Sequence, residues 1–154
     1  MSQDFLKNMI LFKNLEDSEL VEILTICVTK KYPAKSEIFA EGDAASKFFL
    51  IREGEIRISK MIPGAGEEAL AILKPGNFFG EMALIDETVR SAYAIANTDC
   101  TLMEISIKDL TELLRKNKEI GYKFLWEFCK ILTGRLRSTN DRLYGLFALS
   151  GLFK

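Results

Sequence analysis

Between Phe79 and Ala92 the chain reads FGEMALIDETVRSA, a largely apolar stretch in which Glu81 follows a glycine and Arg90 precedes a hydroxyl, Ser91. A carboxylate or guanidinium set among aliphatic side chains costs several kcal/mol unless something pairs with it, so Glu81 and Arg90 must share either a salt bridge or a ligand. The surrounding residues favour a ligand. Gly80 admits close backbone approach, and Glu81-Met82-Ala83-Leu84 starts a helical turn whose N–H groups point at an anion. Arg90 adds a charge-assisted fork and Ser91 a hydroxyl, whereas Glu81 can only accept, which suits a sugar hydroxyl. Sugar and phosphate together describe a nucleotide. One arginine and one helix end match about one negative charge, so a cyclic monophosphate fits best.

Those residues need a scaffold, and the flanking sequence supplies the pattern of one. From Ser18 to Thr29, Leu20, Ile23, Leu24 and Cys27 recur at helical spacing behind the starter Glu16-Asp17-Ser18, which predicts a short opening helix. From Glu37 to Ser106 the texture changes to short apolar or alternating runs: Ile56 and Ile58, Ala69 to Leu73, Tyr93 to Ala96, Leu102 to Ile105. Turn signals separate them at Glu53-Gly54, Pro63-Gly64-Ala65-Gly66, Lys74-Pro75-Gly76-Asn77 and Asn97-Thr98-Asp99. Many short strands at close spacing predict a barrel or jelly roll, and the lack of crossover helices disfavours a doubly wound sheet. Ser106 with Asp109 three residues later starts a second helix carrying Leu110, Leu113 and Leu114 on one face. After Asn117 a long helix is predicted to about Leu146. It has Leu125, Leu132, Thr139 and Leu146 seven apart and Cys129, Leu136 and Leu143 on the adjacent row, a seam of heptad type. Gly134 weakens its interior by about 1 kcal/mol relative to alanine.

The 154 residues, 48% hydrophobic, support one independent core. The expected fold is mainly β with flanking α: an eight-stranded β-roll or jelly roll with N-terminal helices and a long C-terminal helix. Residues 1–154 form a single domain, with about 11–116 as helix plus roll, about 117–146 as the long helix and 147–154 as an apolar tail. A net charge of −1 exerts no overall pull toward nucleic acid or anionic membrane. From Arg115 onward nine Lys or Arg stand against three Asp or Glu, but they are dispersed and read as a solvated helix face. Cys27, Cys100 and Cys129 are odd in number and embedded in apolar sequence, so they are expected to be buried free thiols rather than a disulfide framework or metal site. With no histidine anywhere, zinc hydrolase and His-dependent triad chemistry are disfavoured. No apolar run approaches the roughly 18 residues of a membrane span, and a cytoplasmic location is expected.

The stretch from Phe79 to Ala92 resembles the phosphate-binding cassette of the cyclic-nucleotide-binding domain family. Phe79, Gly80, Glu81, Ala83, Leu84, Arg90, Ser91 and Ala92 stand where that family's pattern has them, and the spacing from Glu81 to Arg90 falls in its range. Upstream, Ile38-Phe39-Ala40-Glu41-Gly42-Asp43, Phe49-Leu50-Ile51 and Gly54-Glu55-Ile56 resemble its early strands and glycine turns. The resemblance covers roughly Leu11 to Gly145. It implies Gly80, Glu81, Met82, Ala83, Arg90 and Ser91 as ligand-binding residues, with cyclic AMP or cyclic GMP as ligand and no cofactor or metal. Phe78, Phe79, Met82, Leu84 and Ile85 are expected to act as supporting core, with no direct role beyond shaping the pocket.

The segment Gly134-Arg135-Leu136-Arg137-Ser138-Thr139-Asn140-Asp141 resembles the long helix of bacterial catabolite activator proteins, in which a Thr-Ser pair contacts the adenine. Thr139 matches and Asn140 replaces the serine, whose counterpart reaches over from the partner subunit. The resemblance therefore implies a homodimer built on this helix. On residue type alone, Thr139 and Asn140 are equally seam and surface positions. Catabolite activator relatives continue into a helix-turn-helix module, whereas Phe147-Ala148-Leu149-Ser150-Gly151-Leu152-Phe153-Lys154 ends this sequence. The expectation is thus no direct DNA or membrane binding, output through dimerisation or a separate effector, and an apolar tail that serves as lid or partner contact. Together these readings describe a stand-alone cyclic-nucleotide sensor, not an enzyme. Cyclic AMP is preferred from Thr139, and cyclic GMP is left open by Ser91. The alternative is a dimeric scaffold that keeps the roll and binds no nucleotide, and an enzyme acting on cyclic nucleotides is a weaker third.

Overall fold

The computed structural model describes residues 2–86 and 89–150. Three short helical pieces open it: α1 (Ser2–Asn8), a 3-10 turn at Ile10–Phe12, and α2 (Asp17–Thr25). A capping box starts α2, with Glu19 accepting from the Glu16 N–H while Glu16 caps the third helical position. The helix ends four residues before the predicted Thr29. Cys27, counted on its apolar face, instead begins β1 (Cys27–Tyr32), which pairs antiparallel with the strand at 100–106. Cys-Val-Thr is a poor helix segment but a good ladder segment, and the cross-strand partner decides it.

The roll continues through β2 (Glu37–Phe39), β3 (Lys47–Glu53), β4 (Ile56–Ile62), β5 (Gly66–Leu73), β6 (Phe78–Phe79), β7 (Tyr93–Ala96) and β8 (Cys100–Ser106), with the five-residue α3 (Met82–Asp86) between β6 and β7. The eight strands form two antiparallel four-stranded sheets, ordered β1-β8-β3-β6 and β2-β7-β4-β5. Alternation along the first sheet explains why it is apolar on both faces. Phe48, Leu50, Phe78, Met103 and Ile105 point out to a helical layer, whereas Phe49, Ile51, Phe79 and Leu102 point into the roll against Ile56, Ala94 and Ala96 of the second sheet.

The helical layer is completed by α4 (Ile107–Lys116) and α5 (Lys118–Ser150). Ser106 caps α4 by accepting from the Asp109 N–H at 3.3 Å, as its spacing predicted. At the α4–α5 turn a Cβ on Gly121 would lie 2.5 Å from the Leu114 carbonyl oxygen, so a glycine is needed for the two helices to pack this closely. The buried row of α5 is Ile120, Phe124, Glu127 and Phe128. The heptad seam of Leu125, Cys129, Leu136 and Leu143 lies off this row and is exposed; only Leu132 on it is partly covered. Helix α5 also runs on past Leu146 to Ser150, so 147–150 of the expected tail is helical, while Gly151, Leu152, Phe153 and Lys154 lie outside the described residues. The expectation of three buried thiols holds for Cys100 alone: Cys27 is half-buried and Cys129 sits exposed on the seam. Burial pushes the Cys27 thiol up to about 12.

Two buried carboxylates brace this frame. Glu127, 1% exposed, accepts from Asn14 at 2.7 Å and Lys130 at 3.0 Å, and lies 3.1 Å from Lys13 Nζ. Glu104 on β8 is held by Lys47 and the Tyr32 hydroxyl. Burial alone would raise both acids, yet the lysines, joined at Glu104 by Tyr32, hold each below its ordinary value near 4.5. A carboxyl depressed in the folded state contributes stability that is complete above its unfolded value and is lost as pH falls through the folded one. Urea unfolding is therefore expected to give a constant free energy between pH 7 and about 5 and a declining one below about 4.5. A flat profile down to pH 3 would remove both acids from the account.

Candidate functional site

A cavity of about 480 Å³ opens between the second sheet, the segment around α3 and the distal half of α5. The chain folds here because β6 carries Phe78 and Phe79 into the two cores and then must turn sharply. Gly80 makes the turn at φ +76°, a left-handed conformation that glycine adopts without strain. A Cβ on Gly80 would lie 2.7 Å from Arg90 Nη1 and 3.1 Å from the Lys47 carbonyl oxygen. The close approach expected of this glycine is thus first of all to the arginine.

Arg90 is 6% exposed and makes no salt bridge with Glu81. Nη1 donates to the Gly80 carbonyl at 3.2 Å and Nη2 to the Lys47 carbonyl at 2.7 Å, and the guanidinium stacks 4.1 Å above the Phe39 ring. Its backbone is clamped to the turn before β3, donating to Asp43 at 2.9 Å and accepting from Gly42 at 2.8 Å. Burial lowers the Arg90 pKa, against the opposing pull of Asp43 and Glu81. Nε is buried without a hydrogen-bond partner among the described residues. A cation fixed by two carbonyls and a ring, with no carboxylate bound to it among the described residues, has the chemistry to receive an anion.

Glu81 is taken by a residue that sequence reasoning passed over. Arg135 of α5 donates to Glu81 Oε1 at 2.6 Å and to the Phe78 carbonyl at 2.9 Å, with its guanidinium 4.4 Å over the Phe78 ring. Arg135 is one of the dispersed basic residues that read, from the sequence, as a solvated face. Its position four residues before Thr139, with Ser138 and Arg142 on the same side of the helix, was the available signal. All four line the cavity.

The remaining expected residues divide cleanly. Gly80, Met82, Ala83 and Ser91 line the cavity beside Glu81 and Arg90, with the Ser91 hydroxyl 3.3 Å from Met82 Sδ. Phe78, Phe79 and the partly covered Leu84 are supporting core, but Met82 and Ile85, expected there too, are 53% and 60% exposed because α3 turns Ala83 and Leu84 inward and these two outward. Thr139 lines the cavity and donates its hydroxyl hydrogen to the Arg135 carbonyl at 3.0 Å. Asn140, the residue assigned to a partner's pocket, is exposed and outside the cavity wall. Phe39, Ile58, Asn77, Phe79, Val89, Ala92 and the strand from Leu70 to Leu73 complete the lining.

The chain is similar to the cyclic AMP receptor protein of Thermus thermophilus, 32% identical over 86% of this chain and 60% of that one. It is also similar to the cAMP-activated global transcriptional regulator CRP of Haemophilus influenzae, 34% identical over 84% of this chain and 57% of that one. The chain thus spans about three fifths of the length of these curated relatives. A crystal structure of a cyclic nucleotide-binding domain from Methylobacillus flagellatus superposes with a TM-score of 0.83 at 27% identity, over 94% of this chain and 81% of that one. The model of the cyclic nucleotide-binding domain matches residues 29–117, from β1 through the cassette to the end of α4, and this chain belongs to that family.

Proposed function

We propose that this chain is a cytoplasmic cyclic-nucleotide sensor with cyclic AMP as its preferred ligand, and that it binds this ligand without turning it over. The observation that carries the reading is the Arg90 guanidinium, 6% exposed, free of any carboxylate partner among the described residues and set in the cavity wall. The cyclic phosphate sits against Arg90 and the first N–H groups of the turn that opens α3, with Ser91 alongside. A carboxylate offers about four lone-pair sites, so Glu81 can hold Arg135 and still accept a ribose hydroxyl. Thr139 has spent its hydrogen on the Arg135 carbonyl and therefore presents lone pairs to the base. Lone pairs match the adenine amino group and oppose the guanine carbonyl.

Ligand shifts the position of α5 only as far as its affinity differs between helix positions, and Arg135 and Thr139 are the residues through which it does so. The exposed seam of α5, with Leu136 61% exposed and Leu143 46%, supports a homodimer through this helix, which brings Asn140 toward the partner's pocket and passes the signal on to a separate effector. Titration calorimetry with cyclic AMP, cyclic GMP and linear AMP tests the reading, with the expected order of affinity as written. Silence on all three leaves the dimeric scaffold. Sedimentation of Leu136→Glu beside wild type tests the seam: the variant is expected to be a monomer at concentrations where wild type is a dimer.

A further inference from the structure

Phe128 is the last fully buried residue of helix α5 and Ile131 and Leu132 the last packed against the core, and yet the helix continues over the cavity to Ser150. Two arginines tie this free half to the roll. Arg135 is the near one, and Arg142, seven residues or about 10 Å further on, is the far one. Arg142 Nη1 donates to the carbonyl of Leu70 at 3.1 Å. That carbonyl is unusual in its strand. Along β5, Ala69 lies opposite Ser59 and Ala71 opposite Ile58, so Leu70 is an extra residue, a bulge, in the edge strand of its sheet. A bulged residue is left out of the ladder and its polar groups seek partners elsewhere. Both Leu70 and Arg142 also line the cavity, so the bond between them closes the wall that a ligand must pass.

We infer that Arg142, anchored on the bulged Leu70 carbonyl, is the positioning residue that holds the distal half of α5 across the cavity and sets how long a bound nucleotide stays. The inference rests on the cyclic-nucleotide reading above. Arg142 has no salt bridge among the described residues, so its guanidinium is committed to this carbonyl rather than to a surface acid. A charge-assisted bond at an exposed site, made only when the helix is down, is expected to change release by roughly five- to tenfold. Association, limited by entry while the helix is up, is left nearly unchanged.

The test is a chase of tritiated cyclic AMP from the full chain, comparing wild type, Arg142→Ala, Arg142→Lys, deletion of Leu70 and the double change. Arg142→Ala is expected to release ligand roughly five to ten times faster with association within about twofold of wild type, and Arg142→Lys to recover most of the difference. Deleting Leu70 removes the bulge without shifting the flanking pairs and is expected to match Arg142→Ala. The double change should be no faster than either, because both break one bond. Ligand-free thermal unfolding of Arg142→Ala should stay at the wild-type temperature; a fall there together with slower association would make the arginine merely structural and overturn the inference. So would wild-type release from Arg142→Ala, or multiplying effects in the double change. Failure of the wild-type chain to retain cyclic AMP at all overturns the nucleotide reading itself.

Discussion

Arg90→Ala is expected to weaken cyclic AMP binding by about 3 kcal/mol, roughly a hundredfold in Kd, because the phosphate loses its one buried cation and its charge-assisted fork together. Three features make this the largest binding effect available in the chain. The guanidinium is already desolvated, its orientation is set by the Gly80 and Lys47 carbonyls, and the Phe39 ring leaves it little room to turn away. Little of its interaction with an anion is therefore spent on ordering a flexible side chain. Stability is expected to fall by only about 1–2 kcal/mol, the cost of leaving two carbonyls without donors, so the variant folds. Arg90→Lys should recover part of the affinity, since an ammonium keeps the charge but cannot span carbonyl and phosphate with a fork. Calorimetry on the three proteins decides it, and affinity in Arg90→Ala within threefold of wild type would remove the phosphate from this socket.

Phe124→Ala is expected to destabilise the fold by about 3–5 kcal/mol, a large fraction of the roughly 5–15 kcal/mol by which domains of this size are stable. Phe124 is fully buried, 5.9 Å from the Phe12 ring centroid and 5.8 Å from that of Phe128, and Phe128 in turn meets Phe78 at 5.9 Å. This ladder of rings is how the proximal half of α5 is moored to the 3-10 turn on one side and to β6 on the other, immediately before the cassette. Loosening it costs affinity as well as stability, because Arg135 and Thr139 reach the cavity only while the helix is docked. Phe124→Leu, close to volume-conserving, should lose less than about 1.5 kcal/mol and keep the site. Urea unfolding followed by circular dichroism measures both. A loss under 1 kcal/mol in Phe124→Ala would mean that the rings are not what moors the helix.

Much of the cassette was legible because its chemistry is local. A glycine before an acid, a helical turn, and a buried arginine beside a serine state their purpose within a dozen residues, and Gly80, Glu81, Met82, Ala83, Arg90 and Ser91 all reach one cavity wall. The strands from Ile56 to Ile105 were legible for the same reason, since period-two alternation and turn residues act on neighbours. Strand β1 was not. Cys27-Val28-Thr29 continues the helical spacing of Leu20, Ile23 and Leu24, and only pairing with Met103, Glu104 and Ile105, some seventy-five positions away in the chain, makes it extended.

What the sequence determined by itself is the family, the β-roll, the length of the final helix within a turn and the pairing of Glu81 and Arg90 in one short stretch on a cavity wall, all properties of contiguous residues. What the tertiary structure alone decided is the rotation of α5 and hence which of its arginines matter. Leucines, arginines and hydroxyls recur on several sides of that helix, and nothing in their spacing says which side meets the roll. The contact of Gly121 with the Leu114 carbonyl and the burial of Phe124 and Phe128 set the angle at the base, and the helix then carries Arg135, Thr139 and Arg142 over the cavity because each turn inherits the rotation of the one before it.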